Sequence, residues 1–217
     1  MSLLLYYLKV DKTSGSVSWE SSSDLANYLA QSVSDGATRL ANVLKTSSNQ
    51  IVIAELGCGT ALPSLRLVTL LYSSGYKGKL TIYFQDLSPE TIESVTKPNV
   101  LTAFKSLGSD FMERIEPHFV ASSWDEFRDV AGRADIVLSS ECVYREDLFA
   151  SHSDVIERIL APQGIALVAA KRYYFGCGGG TIEFADYLAQ KTALKADLAA
   201  VFENGMSNTR EILAIYR

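Results

Sequence analysis

The chain has 217 residues, 47% hydrophobic and 21% charged, with a formal charge of −5 and a pI near 5.1. That length and composition fit one globular domain able to bury a substantial core. The acidic balance argues against broad contact with nucleic-acid phosphates, because such binders carry a basic patch. No apolar run approaches the ~18 residues that span a bilayer, so no membrane partner is expected. The opening, Met1 to Lys9, is apolar but lacks the basic start and small-residue cleavage site of a signal peptide.

In chain order, Leu3 to Val10 reads as a strand, and Lys12 to Ser16 turns into a second, Val17 to Trp19. These form a short N-terminal β-hairpin over residues 1–20. Ser21, Ser22 and Ser23 offer N-caps for a helix from Asp24 to about Val33, and a further helix runs to about Lys45. Strands then fall near 51–55, 80–85, 116–120, 134–138 and 164–170, with helices near 62–74, 89–106 and 148–160. Such alternation predicts a parallel sheet covered on both faces. Its strands should be continuously apolar, as Ile136-Val137-Leu138 and Ile165 to Ala170 are. After a helix near 180–190, Lys195 to Phe202 and Thr209 to Tyr216 read as two antiparallel strands joined by Glu203-Asn204-Gly205. The reading is a single Rossmann-like α/β domain over 1–217, with the seven-stranded core in 50–217.

The cysteines, Cys58, Cys142 and Cys177, are odd in number, far apart and without Cys-x-x-Cys spacing. They suit reduced thiols in a cytoplasmic or nuclear protein better than a disulfide frame or a metal site. His118 and His152 lack metal-ligand spacing and are expected at the surface or a strand edge.

Chemistry concentrates where the strand Ile51 to Leu56 ends in Glu55 and opens into Gly57-Cys58-Gly59-Thr60, before a helix leaves at Leu62. The next strand delivers Gln85-Asp86 to the same sheet edge, and ligands of open parallel sheets bind outside these carboxyl ends. A dinucleotide fingerprint wants a third glycine, where Leu62 stands, and an acid about 20 residues on. Asp86 lies 27 residues beyond Gly59, and no P-loop run exists. Glu-x-Gly-x-Gly with a strand-end Asp is instead the pattern of S-adenosylmethionine-dependent methyltransferases. Glycines permit close backbone approach to a cofactor that has no phosphate. Glu55 can meet its ammonium, and Asp86 can accept from both ribose hydroxyls. The plainer alternative is that Gly57 and Gly59 only make a tight strand-to-helix turn.

Longer segments sharpen this. Trp19 to Ser22 with Asp24-Leu25, Glu55 to Thr60 with Leu62-Pro63-Ser64, and Phe84 to Glu90 with Val95-Thr96-Lys97-Pro98-Asn99-Val100 together resemble the histidine protein methyltransferases. Ser123 to Phe127, Leu138 to Tyr144, and Ala169 to Gly176 with Gly178-Gly179-Gly180 add to the resemblance. It implies the seven-stranded methyltransferase sheet, mostly parallel with an antiparallel C-terminal strand, and S-adenosyl-L-methionine as cofactor. It further implies that Trp19, Glu20, Ser21 and Ser22 cross the methionine end, with Gly57 and Gly59 beneath the cofactor. Gln85, Asp86 and Leu87 would grip ribose and adenine, Ser122, Ser123 and Trp124 would hold the adenine, and Ser140 would lie below the reacting end. Trp124 can equally be a core anchor. Two departures stand out. Ala61 replaces a frequent glycine, tolerable where φ is negative, and Leu87 replaces an aromatic.

For a histidine acceptor, neutral imidazole already has a free lone pair at cellular pH. A carboxylate at the other ring nitrogen selects the tautomer and steadies the imidazolium. Glu141 takes that role here, or Glu20 more remotely, with Tyr144 beside the open site; the plain alternative is a helix-start acid and a packing tyrosine. Tyr173, Tyr174 and Phe175 either wall the pocket or pack. A lysine acceptor must first lose a proton from a pKa near 10.4. The resemblance points to a ribosomal protein of the large subunit as substrate, and the chain is expected to be a monomer, cytoplasmic and possibly nuclear. A protein-lysine methyltransferase of the wider family, and a non-catalytic cofactor- or partner-binding module, stay open.

Overall fold

The computed structural model describes residues 20–47, 49–130, 132–203, 205 and 208–217. The expected N-terminal hairpin and Trp19 lie outside the described residues. Helices α1 (Glu20–Asp35) and α2 (Arg39–Thr46) lead into β1 (Gln50–Leu56), α3 (Leu62–Ser73) and β2 (Lys79–Asp86). Then come α4 (Pro89–Thr91), a π-helical turn (Ile92–Thr96), α5 (Lys97–Phe104), α6 (Ser109–Met112), β3 (Ile115–Ala121) and α7 (Trp124–Val130). β4 (Ala134–Ser140), α8 (Phe149–Ile159), β5 (Leu160–Lys171), α9 (Thr181–Lys191), β6 (Lys195–Phe202) and β7 (Arg210–Tyr216) complete the order.

The strands form one seven-stranded sheet in the order β3-β2-β1-β4-β5-β7-β6. Its first five members are parallel, and β7 inserts antiparallel between β5 and β6. This agrees with the predicted Rossmann-like architecture. The central strands are apolar on both faces because each face is covered. Ile51, Ile53, Ile82, Phe84, Ile136 and Leu138 pack with Leu25, Leu29, Leu65 and Val68 of α1 and α3. The alternate positions Ala54, Leu56, Val137, Ala166 and Val168 pack with Phe149, Ile156, Phe184 and Leu188 of α8 and α9. This is the period-2 alternation of a strand, and each fully buried large apolar side chain contributes about 1.5–3 kcal/mol.

Several expectations need correction. Helix α1 is already under way at Glu20, so Ser21, Ser22 and Ser23 lie in its early turns rather than capping it. An acid in that first turn suits the positive end of the helix dipole. The helix foreseen near 89–106 is interrupted: Lys97 N–H bonds to Ile92 O, five residues back. Ala61 adopts φ 61°, not a negative value, and stands at the N-cap of α3. A left-handed alanine costs about 1–2 kcal/mol, which is why a glycine suits this position. His152 is not at the surface. It is fully buried in α8, with Nε2 2.9 Å from Ser139 Oγ, and burial lowers its pKa to about 3. His118 sits on edge strand β3, stacked on Tyr83.

Candidate active site

At the carboxyl ends of β1, β2 and β4 a cleft of about 390 Å³ opens, within the ordinary range for small-ligand sites. It is lined by Gly57, Gln85, Asp86, Leu87, Ser122, Ser123, Trp124, Glu141 and Tyr144, all singled out in the sequence. Asp125, Cys142, Leu148 and Ser151 line it as well.

The wall formed by Trp124 and the loop after β3 is organised by Gln85, whose side chain is almost wholly buried. Its Oε1 accepts from Gly57 N and from Trp124 Nε1, both at 3.1 Å, and its Nε2 donates to Ser122 O at 2.6 Å. One amide thus fixes the glycine turn, the indole and the loop after β3. Trp124 also packs against the core and meets buried His152 edge-on at 4.7 Å. The core-anchor role is thus present, and the same indole lines the cleft. Helix α7 was missed in the sequence, yet Ser123-x-x-Glu126 is a capping box. Glu126 Oε2 accepts from Ser123 N and Ser123 Oγ at 3.0 Å, and Ser123 Oγ accepts from Glu126 N. These bonds lower the Glu126 pKa.

Asp86 lines the cleft at the end of β2. Its Oδ2 accepts from Gly59 N at 3.1 Å and its Oδ1 from Ser88 N at 3.0 Å, leaving further lone pairs toward the cleft. From behind, Thr96 Oγ1 donates to Gly59 O at 2.6 Å and Asn99 Nδ2 to Thr60 O at 3.3 Å. The selective Val-Thr-x-Pro-Asn-Val segment therefore grips the carbonyl side of the glycine bend. Gly57, at φ 60°, has no room for a side chain, since a Cβ would stand 2.6 Å from Cys142 Sγ.

Glu55 does not line the cleft. It is buried at the strand–helix junction, where Oε2 accepts from Ser64 N at 3.0 Å. Burial raises its pKa to about 8 against the opposing Ser64 bonds, with a smaller push from Asp86. Gly59 and Ser140 also stand off the cleft lining, the Ser140 hydroxyl buried with no partner among the described residues. Ser122 lines the cleft, but its hydroxyl is likewise buried and without a partner among the described residues. Ser22 lies off the cleft, and Glu20 pairs with Arg210 at 3.3 Å. Ser21 is buried and donates to Glu141 Oε1. Glu141 itself follows β4 in a left-handed conformation, φ 58°. Non-glycine residues held there persist where the surroundings over-determine them, often at active sites. Among the described residues, no group of three or more His, Cys, Asp or Glu side chains could hold a metal ion.

Comparison with known proteins gives this cleft a context. A histidine protein methyltransferase 1 homolog of Dictyostelium discoideum is 30% identical over 200 residues, covering 91% of this chain and 56% of that protein. The Bos taurus homolog is 26% identical, covering 87% and 52% respectively. The chain thus spans about half the length of the curated relatives it matches. Among solved structures, the magnesium protoporphyrin IX methyltransferase of Synechocystis with bound SAM aligns with a TM-score of 0.59 at 14% identity. That alignment covers 90% of this chain and 79% of that one. A ribosomal protein L11 methylase of Lactobacillus delbrueckii aligns at 0.57 and 14% identity, covering 93% and 80%. These likenesses establish the methyltransferase fold. The family profile described as lysine methyltransferase matches residues 7–175, and the chain belongs to that family, alongside curated relatives named histidine protein methyltransferase 1.

Proposed function

We propose that this chain is a protein-histidine N-methyltransferase. The observation that carries the reading is that Asp86 and Glu141, from the ends of β2 and β4, line one cleft. The cofactor is S-adenosyl-L-methionine, and the residues present fit it. Asp86 offers lone pairs to a ribose diol, Ser122 and the Trp124 indole offer an adenine wall, and Gly57 keeps the bend free of a side chain. When bound, the cofactor supplies a methyl group on a sulfonium that keeps the C–S electron pair as the methyl departs.

The protein's own share is orientation at near-attack distances of about 3–3.5 Å. Glu141 accepts the N–H of the acceptor imidazole, which frees the lone pair of the other ring nitrogen and steadies the imidazolium that develops. Tyr144, partly exposed at the cleft, gives the ring an aromatic neighbour. A ribosomal protein of the large subunit is the candidate substrate, a proposal that rests on the family resemblance.

The second reading, a lysine acceptor, is favoured by the description of the family to which the chain belongs. Tritiated-methyl cofactor incubated with the protein and a cell lysate, followed by acid hydrolysis, separates the two. Labelled methylhistidine supports the reading; methyllysine alone replaces it with the second. Absence of label from every protein would leave a non-catalytic binding module.

A further inference from the structure

The segment between β5 and α9 carries Tyr173-Tyr174-Phe175-Gly176 and Gly178-Gly179-Gly180. It folds back on the residues that follow β4. Tyr174 N donates to Gly179 O and Gly180 N to Val143 O, both at 2.9 Å, and Arg145 bridges to Gly178. The approach is too close for side chains. A Cβ on Gly179 would stand 2.2 Å from the Tyr144 carbonyl carbon, and one on Gly180 would stand 2.1 Å from Arg172 O.

This packing delivers the phenol of Tyr174 to Glu141. The Tyr174 hydroxyl donates to Glu141 Oε2, while Ser21, arriving on α1, donates to Oε1. The phenol oxygen accepts from Lys171 N at 3.2 Å, so its one hydrogen goes to the carboxylate. Burial, followed by the neighbouring Glu141 charge, pushes the Tyr174 pKa up, which keeps it a donor at any assay pH. Each carboxylate oxygen therefore has one hydroxyl partner, and the backbone beneath is held in its left-handed state.

We propose that Tyr174 and Ser21 are positioning residues that lock Glu141 as an acceptor-only carboxylate facing the cleft, and that this lock selects an imidazole over an amine. The inference rests on the histidine reading above. A fixed anion beside a lysine favours its ammonium form, which has no lone pair to accept a methyl group. Beside an imidazole, whose reference pKa is about 6.5, the same anion takes the ring N–H and leaves the opposite nitrogen free.

The test compares Tyr174→Phe and Ser21→Ala with the unaltered protein. Cofactor Kd is measured by calorimetry. Tritiated-methyl incorporation into lysate protein is followed at saturating cofactor with the extract varied, and the labelled residue is identified after hydrolysis. Expected are an unchanged cofactor Kd, an unchanged apparent KM for the extract, and a maximal rate lower on the order of tenfold. The ratio of methylhistidine to methyllysine falls as well. Ser21→Ala decides the matter if Tyr174→Phe does not fold. An unchanged maximal rate and ratio overturns the inference, as does a rate that falls only in proportion to lost cofactor binding. Should the unaltered protein label lysine or nothing, the histidine reading fails and takes this inference with it. Flat variants of a protein that does label histidine overturn the lock alone.

Discussion

Replacing Gln85 with leucine tests whether one amide organises the cofactor cleft. The side chain is 1% exposed and leucine nearly matches its shape, so the change mainly removes three hydrogen bonds. The Gly57 N–H, the Trp124 indole N–H and the Ser122 carbonyl lose their partner together. An orphaned buried polar group costs about 1–3 kcal/mol. Gly57, Ser122 and Trp124 are only partly buried and line the cleft, so the low end applies, about 3 kcal/mol for the three. In a chain of this size each kcal/mol moves Tm by about 2–4 °C, giving an expected fall of about 6–12 °C. Thermal melting followed by circular dichroism, with and without cofactor, measures it. The cofactor-induced rise in Tm should shrink as well, because the glycine bend loses its anchor. A Gln85→Leu protein that melts within about 2 °C of the original, with its full cofactor-induced rise, would refute the reasoning.

Other substitutions separate the roles assigned to the acids. Asp86→Ala should weaken cofactor binding by on the order of 100-fold in calorimetry, since it removes a charged acceptor and frees Gly59 N and Ser88 N. Glu141→Gln should leave that binding intact and slow labelling by on the order of 100-fold; equal loss of binding in both variants would contradict the division of labour. Glu55, with its folded pKa raised to about 8 from 4.5, holds more protons folded than unfolded between those values. Its contribution to stability therefore falls as pH rises across that window. Cofactor-free Glu55→Gln should accordingly gain in Tm relative to the original protein from pH 5 to pH 8, and parallel melting curves would sink the assignment. Ala61→Gly relieves a left-handed alanine worth about 1–2 kcal/mol against a glycine entropy cost of about 0.5–1 kcal/mol. Tm should rise by up to about 6 °C, and any fall would count against the strain.

The central parallel strands were legible because buried parallel strands announce themselves as continuous apolar runs, and the glycine bend with Asp86 because a ligand edge needs both. Sequence alone did not disclose where Glu55 points. A strand-end acid serves a ligand or a helix N-terminus equally well, and only the placement of Ser64 N decides for the helix. The burial of His152 was not legible, because nothing local to α8 signals the Ser139 hydroxyl or the Trp124 ring packed against it. Helix α7 was readable in the Ser123-x-x-Glu126 capping pair, but at seven residues it is too short to show an apolar periodicity. The Ala61 conformation was hidden for a simpler reason: side-chain size says nothing about the sign of φ. The partners of Ser21 and Tyr174 lie 120 and 33 residues away on Glu141, beyond any periodicity.

The wide turn at Ile92–Thr96 holds one residue more than ordinary helical spacing requires. Deleting a single residue there would give a better-bonded helix, yet rotate everything downstream by about 100°. Thr96 and Asn99 would then swing off the carbonyls of Gly59 and Thr60. Local regularity and grip on the bend are in opposition at this point of the chain, so length variants here should surface as cofactor-binding defects in proteins that still fold.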